Sequence, residues 1–132
     1  MQKLKCGNIY SKIPTQKAGH PPIRYVGVPN PTESGVPAIK EKEIFQALFK
    51  NKKLKIERII SQGQVTEKGK WLKEPRDEWV IVLKGAGKLR FRKDNRLIKL
   101  KAGDYCFIPA NTSHRVEWTS RREKTIWLAV YS

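Results

Sequence analysis

Histidine is scarce in this chain: of 132 residues, only His20 and His114 carry an imidazole. An imidazole beside a carboxylate can shift pKa values and pass protons. The segment HRVEWT (114–119) reads as a strand, in which His114, Val116 and Trp118 share one face. In EWVIVLKG (78–85) the same alternation gathers Glu78, Val80 and Val82. A carboxylate in so apolar a row is costly unless it is paired or reached by water. Other chemistries lack their parts. His20 lies in HPPI with no partner visible and reads as a surface residue, so no Ser/His/Asp arrangement can be built. No glycine-rich phosphate loop is present; Gly85-Ala86-Gly87 reads as a hairpin turn between strands. Two cysteines make no disulfide framework, and Cys106, in an apolar run, is expected to be a reduced core residue.

The elements that position these residues are mostly strands. LKIERIIS (54–61), DEWVIVLKG (77–85), GKLRFRK (87–93), RLIKLK (96–101), DYCFIP (104–109), HRVEWT (114–119) and KTIWLAVY (124–131) are short and rich in β-branched and aromatic residues. Turn residues separate them, as at Asp94-Asn95 and Gly103-Asp104. This rhythm predicts a sandwich or barrel. Upstream, residues 1–38 hold six of the eight prolines and predict an irregular arm, with IRYVGV (23–28) as one short edge strand. KEKEIFQALFK (40–50) predicts a short amphipathic helix, because Ile44 with Leu48 and Phe45 with Phe49 follow i, i+4 spacing. The domain division is therefore an arm over 1–38 and one domain over 39–132, with its core at 54–132.

Size and charge bound the function. The length suits one domain, and no apolar run approaches the roughly 20 residues that span a bilayer. The first residues lack the apolar stretch of a signal peptide, so a cytoplasmic address is expected, without membrane association. Lys and Arg total 28 against 12 Asp and Glu, a net charge of +16. Such a field attracts nucleic acid or acidic ligands through charge alone. The basic residues are dispersed along the sequence, however, and the plainer reading is a solvated surface. Trp71, Trp79, Trp118 and Trp127 are expected mainly to pack cores and interfaces.

Two segments, EWVIVLKG (78–85) and GDYCFIPANTSHRVEW (103–118), resemble the two conserved cupin motifs. Glu78 and Gly85 keep the first motif's spacing, and Gly103, Pro109 and His114 keep the second's. ERIISQGQ, WLKEPRDEWVIVLKG, TIWLAVY and the opening NIYSKIP are similar to small bacterial cupin-domain proteins. The resemblance implies an all-β double-stranded β-helix, the cupin jelly-roll barrel, preceded by the Pro-rich arm and the short helix. It also implies that Glu78 and His114 are neighbours inside the barrel. The first-motif histidines are missing: their places fall at Leu72 and Glu74, or at Trp71 and Lys73. Asn111 and Trp118 replace the second motif's glycine and asparagine.

No cofactor is firmly implied by what remains. A divalent ion (Mn, Fe, Ni or Zn) would need Glu74 as a third ligand beside Glu78 and His114. The expected function is binding of a small molecule, anionic groups being favoured by Arg115 and the surface lysines, with Glu78, Val80, His114, Val116 and Trp118 as the lining and Glu78 with His114 as the candidate proton-transfer pair. The alternatives are a metal-dependent isomerase or dioxygenase and charge-driven association with nucleic acid. Small cupins commonly pair, so a homodimer is expected.

Overall fold

The structure, a computed structural model, describes residues 4–11 and 42–132. Eight strands follow one another: β1 (Ile44–Lys50), β2 (Lys55–Ser61), β3 (Glu78–Lys84), β4 (Ala86–Phe91), β5 (Leu97–Lys101), β6 (Tyr105–Ile108), β7 (His114–Thr119) and β8 (Thr125–Tyr131). They form a five-stranded sheet of order β1-β2-β8-β3-β6 and a three-stranded sheet of order β5-β4-β7. Every strand pair is antiparallel. The two sheets face each other as a jelly roll. Residues 23–28, the rest of 12–41, and His20 lie outside the described residues.

Alternation along the strands builds the core. Val80 and Val82 of β3, Leu89 of β4, Leu100 of β5, Ile108 of β6, and Trp127, Ala129 and Tyr131 of β8 form one buried cluster between the sheets. Full burial of each large apolar side chain contributes about 1.5–3 kcal/mol. The opposite residues of β3 and β6 face out: Trp79 pairs with Phe107 and packs its ring 5.6 Å from that of Tyr105.

Two sequence expectations are corrected. The segment expected as a helix over 40–50 contains strand β1, paired with β2 from Ile44↔Ile60 to Lys50↔Lys55. An i, i+4 spacing is even, so it puts two residues on one face of a strand as well as of a helix. The neighbouring strand decides between them, and a tight turn helps: Asn51 Oδ1 accepts from the amides of Lys53 and Leu54. Gly85-Ala86-Gly87 is not a hairpin turn either. β3 and β4 belong to different sheets, and the glycines carry the chain from one to the other. Gly85 has φ +80°, and a Cβ there would stand 2.7 Å from Thr125 Cα. A Cβ at Gly87 would collide with the ring of Trp127.

Arg58 fastens residues 8–11 to the barrel. It points away from the core, yet it is buried. Its guanidinium donates to the carbonyls of Ile9 (3.1 Å) and Ser11 (3.0 Å) and to Gln46 Oε1. Burial lowers its pKa from the ordinary value. No described helix is long and apolar enough to cross a membrane.

Candidate functional site

Strand register brings Glu78 and His114 together at one end of the barrel. Glu78 opens β3, opposite Ile108 at the end of β6 and Tyr131 at the end of β8. His114 opens β7, opposite Phe91 at the end of β4. The segment at Leu72 joins that end by pairing with His114 through two backbone hydrogen bonds of 2.7 and 3.0 Å. Both side chains are buried, and His114 Nε2 stands 3.7 Å from Glu78 Oε2.

The imidazole's tautomer follows from its other contact. Nδ1 lies 2.8 Å from the carbonyl oxygen of Thr112. A carbonyl can only accept, so Nδ1 carries the hydrogen. Burial pushes the His114 pKa below its ordinary 6.5, and the Thr112 carbonyl restores part of the difference. The ring is therefore neutral at neutral pH, with the Nε2 lone pair facing the Glu78 carboxyl group. Such a pair can share a proton, or accept from a hydroxyl placed between the two groups.

Glu78 and His114 line a cavity of about 240 Å³. Its wall is chiefly apolar, with Val80, Leu89, Val116 and Trp127 among its residues. Thr66 and Glu43 add polar groups, and Lys73 and Glu74 reach it from the segment after Leu72. Trp127 is the contributor that the alternation in KTIWLAVY could have disclosed. Its indole Nε1–H is buried and has no hydrogen-bond partner among the described residues. A buried donor without a partner costs about 1–3 kcal/mol.

Other sequence-expected residues fall differently. Val80 and Val116 line the cavity. Trp118 does not share their face. Leu89 pairs with Val116 but Lys88 pairs with Trp118, so Glu117 is an extra residue in β7. This bulge turns Trp118 outward, where Lys88 Nζ lies 5.3 Å from its ring centre. Arg115 also points out of the barrel, donating to the Thr66 carbonyl and facing Glu117 at 3.2 Å. Glu74 reaches the cavity, but its carboxylate stands 3.1 Å from Arg76 Nε.

Among the described residues the donor set does not fit a firmly held ion. A protein metal site usually supplies at least three matched side chains, and no group of three His, Cys, Asp or Glu with suitable placement exists among the described residues.

Comparison with known proteins agrees with this fold. The cupin domain family model matches residues 60–131, and the chain belongs to the cupin family. A solved structure from Ralstonia eutropha JMP134, described as a proposed mannose-6-phosphate isomerase, is 38% identical, with 96% of each chain covered and a TM-score of 0.69. A cupin superfamily protein from Desulfitobacterium hafniense is 16% identical over 84% of this chain and 97% of its own, with a TM-score of 0.59. An RmlC-like cupin from Shewanella frigidimarina is 21% identical over 68% of this chain and 75% of its own, with a TM-score of 0.56. The last two share the fold alone. No curated protein matches the sequence.

Proposed function

We propose that the barrel binds a small hydroxylated molecule between Glu78 and His114, without firm dependence on a metal. The observation that carries this reading is the 3.7 Å approach of Nε2 to the Glu78 carboxyl group inside a cavity of about 240 Å³. Two acceptors face each other there, and Trp127, whose indole N–H has no partner among the described residues, lines the same cavity. The volume lies below the range of about 300–1,000 Å³ that holds drug-sized ligands, which favours something as small as a single sugar. Lys73 reaches the cavity from an exposed position and would meet an anionic group of the ligand. The name of the Ralstonia protein suggests a phosphorylated sugar as the first compound to try.

Titration calorimetry with sugar phosphates and their parent sugars tests this. Binding that weakens in His114→Gln and Trp127→Phe supports the reading. Absence of binding by every compound, together with native mass spectrometry showing no retained small molecule, removes it.

The anchored Nδ1–H and the lone pair on Nε2 also favour a second reading, in which the pair moves a proton on the bound molecule. Its test is solvent deuterium entering a ligand C–H position; a ligand recovered without deuterium leaves binding as the role.

We propose further that the chain works as a homodimer. Support comes from the outer face of β3 and β6, where Tyr105 and Phe107 are 65% and 56% exposed beside Trp79. In a chain of net charge +16, a second copy is best received on a face without cations. Sedimentation velocity should show a dimer that Phe107→Glu dissociates; a wild-type monomer across the accessible concentrations refutes it.

A further inference from the structure

The basic residues that look dispersed in sequence are gathered by the fold on the outer face of the three-stranded sheet. In β4 the core takes Gly87, Leu89 and Phe91, leaving Lys88 and Arg90 outward. Register then fixes their neighbours: Lys88 pairs with Lys99 on one side and Trp118 on the other, and Arg90 pairs with Arg115. Lys101, opposite Ala86, extends the row on β5. Among the outward-facing residues of these strands Glu117 is the one acid, and it is taken up by Arg90 at 3.5 Å and Arg115 at 3.2 Å. Elsewhere Glu43, Glu57 and Glu78 are buried, whereas Glu67, Asp77, Asp94 and Glu123 are exposed off these strands.

Two aromatic rings lie among these cations. Trp118 is 39% exposed, with Lys88 Nζ 5.3 Å from its centre. Trp71 has the guanidinium carbons of Arg92 and Arg115 at 5.7 and 5.9 Å from its centre. Cation–π attraction favours these placements of the indoles.

We infer that this face binds single-stranded nucleic acid, with the row of lysines and arginines along the phosphates and Trp118 as a platform for an unpaired base. A basic surface interleaved with aromatic rings suits such a strand because charge follows its backbone and every base offers a π-face. Lys99 and Lys101 share one face two residues apart, a repeat of about 6.8 Å that matches successive phosphates of an extended strand. The β7 bulge is what makes the surface: without Glu117 as the extra residue, Trp118 would face the core. The inference does not rest on the reading of the barrel, whose cavity lies on the other side of the same sheet.

The experiment is fluorescence anisotropy with a labelled oligothymidylate about twelve nucleotides long, over a range of salt concentrations. A duplex of the same length, a heparin fragment and vesicles containing phosphatidylserine serve as competitors. The single strand should bind most tightly and quench tryptophan emission. Trp118→Ala should weaken it about tenfold or more, and Trp118→Phe should restore most of the loss. The doubly exposed Lys99→Glu/Lys101→Glu variant, which touches no core residue, should lower the slope of log affinity on log salt by roughly 1.4. Circular dichroism confirms that each variant is folded. The inference is overturned if Trp118→Ala binds within about twofold of wild type. It is equally overturned if heparin, duplex or vesicles compete as well as the single strand, or if no binding appears at low salt.

Discussion

His114 holds its Nδ1 hydrogen against the Thr112 carbonyl at 2.8 Å, which leaves Nε2 facing Glu78 Oε2 at 3.7 Å. This hydrogen bond sets the tautomer of the ring and aims its lone pair at the carboxyl group.

The same burial predicts a pH dependence of stability. The folded imidazole has a pKa below 6.5, the ordinary value that it regains on unfolding. Below 6.5 the unfolded chain therefore binds more protons at this site, and stability falls as pH drops. The contribution is complete above the unfolded value and is lost as pH falls through the folded one. Urea unfolding of wild type and His114→Gln across about pH 5 to 8 should show a shallower dependence in the variant. Parallel profiles would mean that the imidazole is not held neutral.

The crossing between the sheets makes a second prediction. Gly85→Ala must place a methyl 2.7 Å from Thr125 Cα while keeping φ at +80°. Gly69 has a similar φ of +81° but nothing within 4 Å of its virtual Cβ. Gly69→Ala therefore reports backbone strain alone, about 1 kcal/mol, whereas Gly85→Ala should cost about 3 kcal/mol or more through the added clash. Equal urea midpoints for the two variants would show that Gly85 is free to shift.

These contrasts show which parts of the molecule were legible in the sequence. The seven strands from β2 to β8 were, because one buried face imposes alternation and turn residues mark the ends. The approach of Glu78 to His114 was implied by the cupin resemblance, since motif spacing carries barrel register. β1 was misread because even spacings belong to both periodicities, and only its partner β2 resolves them. Trp118 was misplaced because a one-residue bulge leaves no mark in the pattern HRVEWT, yet it exchanges the two faces. The basic sheet face was invisible for a related reason: cations far apart in sequence meet only through register.

A third prediction concerns the thiols. Cys6 is exposed, whereas Cys106 is half-buried on β6 and turned toward the core cluster. Burial raises the Cys106 pKa and the Glu78 charge raises it further, against a smaller lowering by Arg96. The thiolate is the reactive form. A disulfide reagent near about pH 8 should therefore label Cys6 rapidly and Cys106 slowly, with denaturant making the two rates alike. Glu78→Gln should quicken Cys106 by removing the neighbouring charge. Equal rates in the folded protein would place Cys106 at the surface and detach Ile108, its neighbour two residues on, from the inward face of β6.

Metal content is the last prediction, and it follows from counting donors rather than from family habit. The cavity offers His114 Nε2 and Glu78; of its other carboxylates, Glu43 accepts from Ser61 Oγ at 2.6 Å and Glu74 is engaged by Arg76 at 3.1 Å. Recruiting Glu74 would mean breaking that ion pair and moving its backbone, whose carbonyl accepts the Asn111 amide at 2.7 Å. Two ligands leave an ion mostly hydrated and easily lost. Elemental analysis after purification without added metal should find every first-row metal well below one per chain, and dialysis against chelator should leave the melting temperature unchanged. Arg76→Ala frees Glu74 and should raise zinc or manganese uptake. A stoichiometric ion in wild type, lost in His114→Gln, would show instead that the segment after Leu72 closes over the barrel to complete a coordination sphere.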